Sequence, residues 1–184
     1  MNSVIGNLIA VIMLGLIQKS FLATWPPPIG SINLIVVLIV FLIVLGSYRQ
    51  ALWWAFGGGL LLELFSFDLF GAQVISLLLM AWLVKTLFNN FFTNYSFYSL
   101  TVLGIIGTAV SHGLLFAARL LGTVLAGGSQ QGSVGAFLLA LGWQIFIHLV
   151  VLYILFFIFH FLIGRLRLNL PGTDALSIDR RAGF

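Results

Sequence analysis

The sequence predicts an all-α, polytopic membrane protein with six transmembrane helices. Hydrophobic residues make up 61% of its 184 positions and charged residues only 7%, where a soluble domain carries about 25% charge. Mean hydropathy is +1.19. The apolar positions fall into six runs close to the roughly 20 residues that a helix needs to cross a hydrocarbon core of about 30 Å. The length suits one transmembrane domain, residues 1–164, followed by a short basic tail, 165–184. With no cysteine in the chain, disulfides and thiolate chemistry are excluded. The net charge of +4 reads as membrane topology and attraction to anionic lipid, with no nucleic-acid partner implied.

The first run covers Asn2–Leu22. No charge precedes Lys19 and no small-residue cleavage site follows, so a removable signal peptide is not expected. Trp25-Pro26-Pro27-Pro28 ends it, because the prolines lack amide hydrogens and force an extended turn. The second run, Ile29–Ser47, is rich in Ile, Val and Leu and reads as a lipid-contacting span. Tyr48-Arg49-Gln50 then reads as a short polar turn, and the third run, Ala51–Phe65, is short. The fourth covers Phe70–Phe88, with Lys85 in its last turn, and Asn89–Tyr95 is an interfacial connection. In the fifth, Ser96–Leu121, small residues recur four apart at Gly104 and Thr108, Gly107 and Ser111, and Gly113 and Ala117, which marks a packing face. Gly127–Ser133 is a flexible loop before the sixth run, Val134–Ile163.

Six spans put both termini on one side. That side holds Arg49, Lys85, Arg165, Arg167, Arg180 and Arg181, against Lys19 and Arg119 on the other. The positive-inside rule therefore predicts cytoplasmic termini.

One stretch departs from apolar filler. Gly57-Gly58-Gly59 and the carboxylate of Glu63 sit inside the third span, which breaks at Ser66-Phe67-Asp68 and restarts at Gly71. Consecutive glycines weaken a helix by about 1 kcal/mol each relative to alanine, and their use in membranes is close helix approach. A carboxylate near hydrocarbon costs roughly 2–4 kcal/mol and needs a partner, water or a function. Arg119 lies at similar depth, so Glu63 and Arg119 are expected either to pair, with Asp68 as a second acceptor, or to snorkel separately to the headgroups.

His112 and His148 fall near mid-membrane, with Gln144 one turn before His148 on the same helix face. A metal site or proton relay is one reading. Neutral histidines hydrogen-bonded between helices are the other, favoured because no carboxylate lies in the middle of a span to complete a metal set. The sequence has no Gly-rich loop with a lysine, no zinc-binding spacing and no carboxylate pair. An enzyme is disfavoured, and no cofactor or metal is implied.

The proline-bearing first outer loop, the short basic turn, and Gly59-Leu60-Leu61-Leu62-Glu63 followed by Gly71 resemble the rod shape-determining protein MreD family. There a glycine precedes an acidic residue by four positions, and a second glycine opens the next helix; aspartate is more usual at the position held here by Glu63. The resemblance implies a non-enzymatic subunit of the bacterial cytoplasmic (inner) membrane within the cell-elongation machinery. Its partners would be a single-span MreC-like protein and, through it, the MreB-like cytoskeleton and peptidoglycan synthases. It also implies a six-helix fold similar to the substrate-binding components of energy-coupling-factor vitamin transporters, which supplies the alternative function. Such a component would need convergent polar groups, and the mid-span set is Gln73, Ser76, His112, Gln144 and His148. Gly6 and Ala10 would form its contact face. A face that docks a single-span partner is expected around Gly57–Glu63 or along Gly104–Ala117.

Overall fold

The computed structural model describes residues 2–20, 24, 30, 32–66, 69–91, 97–125 and 134–168. It is all-helical: α1 (Asn2–Ser20), α2 (Leu34–Val44), α3 (Tyr48–Leu64), α4 (Ala72–Phe91), α5 (Phe97–Leu125) and α6 (Val134–Leu168). Among the described residues, Ala72–Phe91, Phe97–Leu125 and Val134–Phe161 are long and apolar enough to cross a membrane, and the apolar stretches Ile9–Ser20 and Leu34–Val44 are shorter. The expected turn at Trp25–Pro28, the loop Gly127–Ser133, Asp68 and the tail beyond Leu168 lie outside the described residues.

The chain divides into two units, Met1–Leu152 and Tyr153–Phe184. In the first, α2 is the centre, touching α1, α3, α4 and α5, while α3 packs along α4 and α4 along α5. Ile35, Val36, Val37, Ile39, Val40, Ile43 and Val44 are all buried. The expectation that this β-branched run faces lipid is therefore wrong. Its side chains are apolar all round, which suits burial on every side by protein as well as by lipid. In the second unit the rings of Phe156 and His160 stack 6.3 Å apart, and Phe157 points outward, 73% exposed.

Two glycine turns set the register of the central helices. Gly46, at φ 78°, follows α2 in the left-handed conformation that favours glycine. Its N–H reaches Ile43 O at 2.9 Å and the Ser47 N–H reaches Leu42 O at 2.9 Å, the paired bonds of a Schellman ending. This sharp stop lets α3 begin at Tyr48, so Tyr48-Arg49-Gln50 is the first turn of a helix and not the polar turn expected. Lys85 Nζ then lies 3.8 Å from the centre of the Tyr48 ring, tying α4 to that turn.

Gly71, at φ 90°, makes the second turn, between α3 and α4. It sits just before Ala72 and its carbonyl accepts the first helical bond of α4, from Ile75 N at 2.9 Å.

The glycines of α3 are internal contacts. A Cβ on Gly59 would lie 2.8 Å from the Val74 Cα and 3.3 Å from its N, so α3 and α4 meet backbone to backbone there. Gly58 faces Ile35 of α2 and Gly57 faces Val11 of α1. On α5, Gly107 meets Val40, Val84 and Met80, and Gly104 meets Leu149 and Leu152. Thr108 and Ser111 are buried beside them. Gly113 meets nothing within 4 Å, so the packing face of α5 stops short of the third small pair.

Candidate functional site

Gly71 has no side chain with which to cap α4, and the preceding helix supplies the cap. Glu63 Oε2 accepts the Gln73 N–H at 2.9 Å, the amide that an N-cap side chain normally satisfies. A carboxylate there also opposes the positive end of the helix. Glu63 is 7% exposed, and its Oε1 has no hydrogen-bond partner. Neither expected role for Glu63, a pair with Arg119 or snorkelling to the headgroups, includes this cap, which the chain's return through Gly71 places within reach.

A second set of bonds gathers around the start of α2. Asn33 Oδ1 caps that helix, accepting from Ile35 N at 3.2 Å and Val36 N at 3.4 Å, and Gln18 Nε2 of α1 donates to the same oxygen at 3.4 Å. The Asn33 N–H donates to His148 Nε2 at 3.0 Å. An N–H can only donate, so Nε2 carries the lone pair, and Nδ1–H donates to Thr108 Oγ1, 2.9 Å away. His148 is thus neutral by geometry. It satisfies the backbone of a helix that starts inside the bundle, where an unpaired amide would be costly. Ser76 Oγ donates to Ser111 O at 2.8 Å, linking α4 to α5.

Above these bonds lies a cavity of about 350 Å³, at the end of the first unit where α1 and α3 finish and α2 and α4 begin. Its polar lining is Gln18, Lys19, Asn33, Gln73, His112, Arg119 and Gln144. Leu115, Phe116, Phe137 and Leu141 form the apolar wall, where the Phe116 and Phe137 rings stack with centroids 4.1 Å apart. Three buried polar atoms of lining residues have no hydrogen-bond partner: Gln18 Oε1, Gln73 Oε1 and His112 Nε2. None of the described lining residues is acidic.

The structure thus brings Arg119, His112 and Gln144 to one cavity, with His148 beside His112 at a ring separation of 5.9 Å. Glu63 and the glycines Gly57, Gly58, Gly59 and Gly71 form the neighbouring α3–α4 junction instead. No group of three acid or histidine side chains able to hold a metal occurs among the described residues. Sequence reasoning missed Gln18 and Asn33. Asn33 carried a usable signal, a capping residue directly before an apolar run, which would have moved the start of the second helix from Ile29 to Leu34.

No protein-family model, curated protein or solved structure matches the chain. Its composition and its long apolar helices define the class, an all-helical membrane protein.

Proposed function

We propose that the chain is a non-enzymatic scaffold subunit of a bacterial cytoplasmic membrane, of the MreD type. In this reading it maintains cell shape by holding a single-span MreC-like partner and, through it, linking an MreB-like cytoskeleton to peptidoglycan synthases. All six helices cross the bilayer and both termini are cytoplasmic. The cavity then faces the outer half of the membrane.

The observation that carries the reading is the convergence of the three motif positions on one junction. Gly59 lets α3 meet the backbone of Val74, Glu63 caps Gln73, and Gly71 turns the chain between them. The motif's spacing is thus a working structural device. Depleting the chain in its host is expected to widen and round the cells as side-wall peptidoglycan insertion falls.

A second reading rests on the cavity. Its convergent polar groups suit a substrate-binding component of an energy-coupling-factor vitamin transporter. Unchanged cell shape on depletion, together with lost uptake of a water-soluble vitamin, would favour that reading and contradict the first.

A further inference from the structure

We propose that the cavity binds an uncharged, hydroxyl-rich group, a sugar ring or small polyol, either free or as the headgroup of a glycolipid. The inference rests on the cavity alone and on neither reading of the chain's function.

The demand for donors comes from the orphaned atoms. Gln18 and Gln73 are 7% and 8% exposed, and both line the space. The side-chain carbonyl oxygen of each is buried with no donor. An unmet buried acceptor is costly, so the site favours a ligand that brings hydrogen-bond donors over one that brings acceptors only. His112 Nε2 is a third orphan. It accepts in one tautomer and donates in the other, and a hydroxyl serves either.

Charge and placement narrow the class. Lys19 lines the space and none of the described lining residues is acidic, which disfavours a cationic donor. The donors are therefore neutral. They must also point several ways, because Gln18 lies at the end of α1, Gln73 at the start of α4 and His112 midway along α5. Hydroxyls set around one small ring or chain meet this need. Each can donate to an amide oxygen while accepting from the Lys19 ammonium.

Water alone suits the space less well. About 350 Å³ lies at the lower end of the ~300–1,000 Å³ range of ligand pockets, and the stacked rings of Phe116 and Phe137 line part of it. Water against those rings lacks the polar partners that hold a buried water in place. A sugar or polyol turns C–H groups to the rings and hydroxyls to the amides.

The test uses the full chain in phosphatidylcholine nanodiscs, free of sugar-headed detergent, with tritiated glycerol and tritiated glucose in equilibrium dialysis. Saturable binding of at least one is expected if the group is free. Saturable retention of glucosyl diacylglycerol in native mass spectrometry is expected if it is lipid-borne. For whichever probe binds, Gln73→Met should raise the half-saturating amount about fivefold, on the order of one hydrogen bond. The empty variant should unfold no earlier than the parent, since the change removes an unsatisfied carbonyl and leaves the backbone bond to Glu63 in place. A residue that only held the fold together would lose stability instead. Gln18→Met gives a second comparison of affinity from another helix, and Gln50→Met, exposed in the first turn of α3, should change nothing. No saturable binding of any of the three probes, or equal binding in all variants, would leave the cavity to water and overturn the proposal. Tighter binding of inorganic phosphate, or of nicotinamide as a neutral N–H donor, would overturn it as well.

Discussion

Replacing Glu63 by alanine would leave the Gln73 N–H without an acceptor, next to a glycine that has no side chain to offer. Loss of an N-cap costs about 0.5–2 kcal/mol, and orphaning a buried donor costs about 1–3 kcal/mol. Glu63→Ala is therefore expected to destabilise the chain by about 1–3 kcal/mol, read as a lower unfolding midpoint in detergent. Glu63→Gln keeps an oxygen for the amide and loses only the charge at the helix end, so its loss should be the smaller. An alanine variant as stable as the parent would remove the cap from the account. His148 works in a comparable way at the other helix start, since its Nε2 holds the Asn33 N–H. Glu63 serves a backbone N–H, while His148 serves one with Nε2 and meets the Thr108 hydroxyl with Nδ1. Sequence distance shows which side chains share a depth, but not that a helix terminus needs an acceptor at that depth.

At the scale of elements, the glycines divide by what their missing Cβ would meet. At Gly59 it would press on the Val74 backbone, which cannot rotate away, so Gly59→Ala should cost about 1–3 kcal/mol through overpacking. At Gly113 nothing lies within 4 Å, and alanine in mid-helix should stabilise by up to about 1 kcal/mol. Opposite signs for the two variants in the same unfolding assay are the expected outcome. Equal signs would mean that the α3–α4 contact is not as close as described. The existence of six helices was legible because apolar run length is a strong signal. The surroundings of α2 were not. Ile35–Val44 is apolar on every face, and nothing in such a run distinguishes lipid from neighbouring helices. Only the closeness of four other helices makes it the core. The cavity was partly legible: Arg119, His112 and Gln144 stood out as polar residues in apolar runs, whereas Gln18 and Lys19 read simply as the end of a span.

For the whole molecule, the charge asymmetry and the six helices together predict that a reporter fused after Phe184 is active only in the cytoplasm, and activity only outside the cell would reverse the orientation. The surface open to the proposed partner is narrowed by the packing. The glycine side of α3 and the first two small pairs of α5 are filled within the chain, so neither remains free for a docking helix. What remains outward on α3 is the apolar stripe of Trp53, Phe56, Leu60 and Leu64. In lipid such a stripe gains little from burial alone, so a partner must add close packing or polar links. The scaffold reading itself is tested most directly by affinity purification of the full chain from native membranes under mild detergent. The account predicts a single-span MreC-like protein in the eluate, recovered in stoichiometric amount. A transporter coupling subunit there instead, with no single-span partner, would contradict it.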